Sequence, residues 1–431
     1  MKISLAVDYG LHASSLTLIT QKIFRELSKI VNTQKSFTVT ATLCSNAGIG
    51  DVNQHYDCIS IPNMGGYNFP PEATLSTNHL FVGVVGIDEV VLGKEVFRHK
   101  KDWIRNKPII EKQVNKWKNH VEKINRIHVS TNSDKDQVMN YLDVPEEKID
   151  IIPYGVDHDL FKPSNNRKKT SELVNFKFFL KKDHPYFLHV GEKNWARKNT
   201  LRVFEAFKKA KSNGIPQNLL VVGRFEELIH KKAREIPGIV MCGYLTEELM
   251  IQVIQGADAL ILPSLHEGFG LPLVESMACG VPVITSNVFS PPEIVKNAGL
   301  FVDPYNVTDI YEKIIEFVNS NKIQDELSQN AIKRSQDFSW TYTATELLKL
   351  FQMHVENPHD IDFDTDYSLS AYRTLTTISQ IHPDLIKTAA QDLLEFDYSR
   401  IIEWSLEVGI NDPFVKDYII PLKQWLEENR D

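Results

Sequence analysis

Cysteine is scarce in this 431-residue chain: there are four, at positions 44, 58, 242 and 279, with no CxxC or Cys/His spacing. That scatter excludes a disulfide framework and a conventional zinc site, and fits reduced thiols in a cytoplasmic protein. Long apolar runs are missing as well. The longest, at 80–85 and 259–263, are strand-sized, far short of the roughly 20 residues a membrane-spanning helix needs. The first residues carry one lysine and a short β-branched run that Asp8 interrupts, so no signal peptide is expected. Positive charge is not in excess: 48 Lys and Arg stand against 56 Asp and Glu, a net −8, which argues against a nucleic-acid binder. No internal repeat or low-complexity tract is found. What is present is 42% hydrophobic residues, enough for real cores, in a chain too long for one ordinary domain.

Short β-branched runs alternate with longer amphipathic stretches, the pattern of parallel sheets covered by helices. In the first half, strands are expected near 3–8, 37–43, 79–85, 126–130 and 149–153, with helices near 14–30, 109–123 and 134–142. The stretch 161–183 loses periodicity and is rich in Lys, Asn and Ser, so an interdomain linker is expected there. A second α/β unit follows, with strands at 186–190, 218–222, 239–242, 259–262, 281–285 and 300–302. Thr246 is placed to cap one of its helices, and Ser290-Pro-Pro-Glu293 fits a capping box. The resulting division is an N-terminal domain over 1–165, a C-terminal domain over 184–340, a helix over 341–356 packing back on the first domain, and a helical extension over 357–431.

In an open parallel sheet, ligands bind beyond the carboxyl ends of the strands. In the second unit the unusual residues fall there. The strand at 186–190 runs into Gly191 and on to Arg197 and Lys198; the strand at 239–242 runs into Gly243 and Tyr244. The strand at 259–262 leads to His266, Glu267, Gly268, Phe269, Gly270, Leu271 and Pro272. Glycines let backbone approach a ligand, and cations suit an anionic one. The turn at 268–270 opens a helix whose free N–H groups and positive dipole end suit a diphosphate. Glu267 and Glu275 cannot both contact a diphosphate, which they would repel, but they can accept hydrogen bonds from sugar and ribose hydroxyls.

The run Glu267-Gly-Phe-Gly-Leu-Pro-Leu-Val-Glu275 resembles the E-x7-E motif of the family-4 (group 1) retaining glycosyltransferases. Flanking pieces match in the family's order: Ile151-Ile-Pro-Tyr-Gly-Val-Asp157 with Phe161, Gly191 to Asn199, Gly243-Tyr244-Leu245, Gly280 to Thr285, Pro292-Glu293 and Asp303-Pro304. The likeness covers residues 126–356 well, the first 125 weakly and the last 75 not at all. It implies an α/β GT-B fold, two Rossmann-like domains facing across a cleft, and transfer of a hexose from a nucleotide diphosphate sugar. By that likeness Glu275 holds the ribose, while Glu267 and the backbone N–H groups of Gly268 to Gly270 hold the transferred sugar. Lys198 with Arg197 neutralises the diphosphate, and Gly243–Leu245 borders the base. No divalent metal and no other cofactor is expected. The loop patterns look most like mannosyltransferase-type members, which suggests GDP-mannose, with a glycan, glycolipid or polyprenyl-linked acceptor.

Two departures from the family pattern stand out. Glu192 and Lys193 occupy the loop where an arginine is common, and Val84-Val-Gly-Ile87-Asp88-Glu89 lacks the first-domain histidine. Asp88 is one candidate for that place; His12, in the Gly10-containing loop after the first strand, is another. Plainer readings stay open: a solvated basic pair at Arg197 and Lys198, a purely capping Glu293, structural roles for His12 and Asp88. A catalytically degenerate nucleotide-sugar-binding or scaffold protein, and a transferase making a small soluble product, are the rivals. Finally, 94–126 holds eleven Lys and Arg against four acids, interleaved with Trp103, Ile104, Ile109, Ile110 and Trp117. That suits either peripheral contact with an anionic membrane or an ordinary solvated helix with snorkelling lysines.

Overall fold

A computed structural model describes residues 2–7, 15–34, 38–45, 48–49, 58–65, 68, 79–97, 99–181, 184–191 and 195–354. The first sheet is built from β1 (Lys2–Val7), β2 (Thr38–Ser45), β3 (Gly48–Ile49), β4 (Cys58–Gly65), β5 (Leu80–Val85), β6 (Arg126–Val129) and β7 (Ile149–Ile151). Its order is β3-β2-β1-β4-β5-β6-β7, parallel except for the β2–β3 pair. Helices α1 (Ser15–Gln34), α2 (Asp88–Val91), α3 (Lys100–His120) and α4 (Asn132–Leu142) belong to this half. Helix α3 begins at Lys100 rather than Ile109 and runs through Pro108. Ile110 and Trp117 face inward from it, while Ile104 and Ile109 are exposed.

The segment 161–183, expected to be a linker without periodic structure, instead contains α5 (Arg167–Lys177). The Asn166 side chain caps it by accepting from the Lys169 N–H at 3.0 Å, and it buries Val174 and Asn175. A local cap and one apolar contact suffice for a helix that the polar composition hides.

The second sheet comprises β8 (Tyr186–Val190), β9 (Asn218–Val222), β10 (Ile239–Gly243), β11 (Leu260–Leu262), β12 (Val283–Ser286) and β13 (Gly299–Val302). Its helices are α6 (Thr200–Ser212), α7 (Glu227–Arg234), α8 (Glu247–Gly256), α9 (Leu271–Ala278), α10 (Ser290–Val295), α11 (Val307–Val318) and α12 (Asn321–Ser335). All pairings are parallel, in the order β10-β9-β8-β11-β12-β13. This is the doubly wound Rossmann order, and its topological switch lies between β8 and β11, where a ligand crevice opens. Thr246 caps α8 as expected, accepting from the Leu249 N–H.

The chain then returns to the first half through α13 (Trp340–His354). Thr343 Oγ1 donates to the Pro153 carbonyl at 2.7 Å, Thr341 Oγ1 donates to Glu26 at 3.0 Å, and Phe351 packs edge-on against Phe81. A bridge pairs Val156 with Ser339. At this crossing a Cβ on Gly155 would overlap the backbone of Ser339 and Trp340, so only glycine lets the two chain segments meet.

Candidate active site

The loop after β8 and the loop after β11 meet at the switch point. Residues 192–194, and with them Glu192 and Lys193, lie outside the described residues, as do Gly10 and His12. From Trp195 onward the first loop is held tightly. Asn199 donates through Nδ2 to the carbonyls of Pro263 (2.9 Å) and Pro304 (2.6 Å), and the Leu265 N–H donates to the Arg197 carbonyl at 2.8 Å. This fixes the basic pair over the second loop. Lys198 Nζ lies 2.7 Å from Glu267 Oε1, Arg197 donates to Glu267 Oε2 at 3.2 Å, and Ser264 Oγ donates to Oε1 at 2.5 Å. Glu267 is 5% exposed and Lys198 7%. Burial favours the neutral acid, but Lys198 and Arg197 outweigh it and hold the Glu267 carboxyl down at about 2. Arg197 and Lys198 are therefore not a solvated pair.

The two glutamates of the motif differ in their surroundings. The Glu275 carboxylate, on α9, makes no hydrogen bond or ion pair to a described residue, and it is half-buried. Burial, then the charge of Glu247, raises it to about 7, against the opposing pull of Lys22 and Lys198. One acid is thus spoken for by cations, and the other is left as an open acceptor. Gly270 stands at the N-cap of α9, and the free amides there add positive potential.

Gly268 is one of the points where the two halves touch. A Cβ on it would lie 2.7 Å from the Gly86 N and 3.1 Å from Val85. Its carbonyl accepts from Ser290 Oγ at 2.6 Å and from Ser130 Oγ at 3.2 Å. The side chains of Phe269 and Leu271 are core: Phe269 packs on Tyr154 and Phe338. Only their backbone is available to a ligand. Gly243 (φ 71°) and Tyr244, which is 64% exposed beneath the Arg224 guanidinium, line the rim of β10; Leu245 turns inward. Gly191 closes β8, its N–H donating to the Val222 carbonyl at 2.9 Å.

From the first half, Asp88 reaches across and lies 3.4 Å from Arg197 Nε. Beside it, burial and the Asp88 charge push Glu89 up to about 7. His266 Nε2 donates to Gln137 Oε1 at 2.7 Å, and the ring lies tilted against Phe289, the ring centres 4.6 Å apart. Burial holds that imidazole neutral, down at about 4. The expected capping box at Ser290–Glu293 does not form. The N-cap of α10 is Phe289, and Glu293 instead accepts from the backbone N–H of Asn132 (2.9 and 3.1 Å) and from its Nδ2 (2.9 Å). Ser290 and Thr131 hydroxyls meet at 2.9 Å. Glu293 thereby caps α4 across the domain boundary, and Tyr305 adds a second crossing by donating to Glu95 at 2.9 Å. The sequence carries no signal for these bonds, because a carboxylate that fits a local cap fits a distant one equally well.

Two Rossmann-like sheets meeting at such a cleft define the GT-B architecture. Sucrose-phosphate synthase from Thermosynechococcus elongatus superposes with a TM-score of 0.63 at 16% identity, over 82% of this chain and 98% of that one. Anabaena Alr3699/HepE, solved with UDP and glucose, gives a TM-score of 0.63 at 14% identity, over 82% and 100%. Residues 171–334 match the family described as Glycosyl transferases group 1. The O-antigen chain mannosyltransferase B of Escherichia coli is 33% identical over 127 residues, 30% of this chain. The chain spans 33% of that relative's length.

Proposed function

We propose that this chain is a retaining, metal-independent glycosyltransferase that moves a hexose from a nucleotide diphosphate sugar to a glycan, glycolipid or polyprenyl-linked acceptor. The observation that carries the reading is the division of labour between Glu267 and Glu275 over one helix N-terminus. Glu275, open and half-buried, accepts from the ribose hydroxyls. Glu267, ionised and clamped by Lys198 and Arg197, accepts from the transferred sugar while the same cations face the departing diphosphate. Stabilising charge on that leaving group is the main catalytic effect, and no enzymic nucleophile is required if attack and departure share one face. The mannosyltransferase relative and the sequence pattern favour GDP-mannose. The HepE complex with UDP and glucose keeps a uridine donor in play. The enzyme would work in the cytoplasm, with α3 able to touch the inner membrane face. Among the described residues no helix is long and apolar enough to cross a membrane.

The Asp88–Arg197 contact favours a second reading, in which a nucleotide sugar is bound without transfer because Asp88 holds Arg197 where a histidine is usual. A thermal-shift screen against UDP, GDP, ADP and their sugars, run in parallel with Glu275→Ala, tests both. A ligand at about 100 times its Kd stabilises by roughly 2.7 kcal/mol. A shift with one nucleotide family, lost in the variant, followed by donor turnover supports transfer; a shift without turnover supports binding alone. No shift with any nucleotide would sink the donor site.

A further inference from the structure

Helix α5 ends in a way that local backbone energetics disfavour. The Leu180 N–H donates to the Asn175 carbonyl at 2.7 Å and the Phe179 N–H to the Phe176 carbonyl at 3.2 Å, which is the Schellman arrangement. The residue at its left-handed position is normally glycine, because a Cβ is strained there. Here it is Phe179, at φ 57°. The ring gains nothing from the fold in return, since it is 97% exposed, and Phe176 (82%) and Leu173 (56%) are exposed beside it. The spacing of 173, 176 and 179 sets the three on one side of the helix end. The neighbouring Phe178 and Leu180, by contrast, pack against the core, and Asn175 anchors the turn by donating to the His184 carbonyl at 2.8 Å. The turn is therefore firmly seated while its largest apolar group projects outward.

The charge around this projection is one-sided. Beside it in sequence stand Lys177, Lys181 and Lys182 against one acid, Asp183, and Lys177 and Lys181 are exposed; Arg167, Lys168 and Lys169 lie at the far end of α5, where Arg167 pairs with Asp258. An apolar knob flanked by exposed lysines matches a surface that is negative at its face and hydrocarbon just beneath. We infer that the end of α5 is a membrane anchor, with Phe176 and Phe179 entering the interface of an anionic bilayer and the flanking lysines pairing with lipid phosphates. This contact is separate from α3 and from the donor cleft, and does not depend on the transfer reaction.

The test uses the full chain and sedimentation with vesicles of phosphatidylcholine, alone or mixed with phosphatidylglycerol. The chain should bind the anionic vesicles and be released by added salt. Phe179→Gly should weaken that binding by about tenfold or more, the order expected for one withdrawn phenyl ring. Its unfolding midpoint should stay level or rise, because glycine relieves the strained φ. Charge reversal of Lys177 and Lys181 should weaken binding as well, and neither variant should alter a nucleotide-induced thermal shift. Equal binding of parent and Phe179→Gly would overturn the inference, as would a lower midpoint in that variant. A Phe179→Trp chain provides a further arm, its added emission blue-shifting only with anionic vesicles. A blue-shifted signal without vesicles would mean that the tail or a second copy covers the site, and would also overturn it.

Discussion

Replacing Glu267 by glutamine keeps the side-chain shape and removes the one charge that Lys198 and Arg197 share. The carboxyl sits at about 2 instead of 4.5, and at 1.36 kcal/mol per pH unit that gap is worth about 3 kcal/mol of folding free energy. Removing one partner of a buried ion pair costs about 3–5 kcal/mol by an independent route, so the two agree. The expected loss at pH 7 is therefore about 3 kcal/mol, measured as the difference in urea unfolding between parent and Glu267→Gln. The sign of its pH dependence follows from the depressed pKa: the stabilisation is fully present above 4.5 and disappears as pH falls through about 2. The gap between parent and variant should thus narrow below pH 4.5. A nucleoside diphosphate brings negative charge to the stranded cations and should recover part of the loss. The extra affinity of a nucleotide sugar over the bare nucleotide should shrink, because its sugar contact is gone. A gap under about 1 kcal/mol at pH 7, or one that does not change on acidification, would refute this account of the site.

Three buried histidines, His128, His189 and His266, are each held neutral down to about 4, chiefly by burial. Their contribution is present above pH 6.5 and lost as pH falls toward 4, so the unfolded chain takes up to three extra protons in that window. Glu89 and Glu275, raised to about 7, and Asp134, raised to about 8, take up protons in the folded chain over the same window and offset this loss. The test is therefore an NMR titration of the three imidazoles, which should stay neutral down to about pH 5; a ring that protonates near its ordinary 6.5 would contradict its burial. Glu293→Ala removes the acceptor for the Asn132 N–H and side chain at the start of α4, leaving the Thr131 cap in place, and should cost about 1–2 kcal/mol. Small-angle scattering should show a larger radius as the domains part, and an unchanged radius would mean that Glu293 is not a latch. Gly155→Ala should cost more than about 3 kcal/mol, since its Cβ meets backbone rather than a side chain that can move; a thermal midpoint near the parent's would show that the crossing can open cheaply.

The element types in the second half were legible because each signal is local. Buried parallel strands read as short β-branched runs, and the glycines at 268 and 270 mark the strand-to-helix turn before α9. The strand β4 carries no clear sequence signal because Cys58–Gly65 contains Pro62 and Asn63, which break both β propensity and alternation. The helix α5 is obscured for the opposite reason, its polar and lysine-rich run masking the cap at Asn166.

The chain's sequence by itself determined the doubly wound second domain and the gathering of glycines, carboxylates and cations at its strand ends. Those features follow from periodicities of two and 3.6 residues and from turn residues a few positions apart. Only the tertiary structure decided how the parts are paired. Lys198 meets Glu267 across 69 residues, Glu293 caps α4 across 161, and Thr343 reaches Pro153 across 190. It also set which side chains near the motif serve the core, as Phe269 does, and which remain open, as Glu275 does. Contacts at such separations depend on how the sheets stack, and no short-range pattern encodes that.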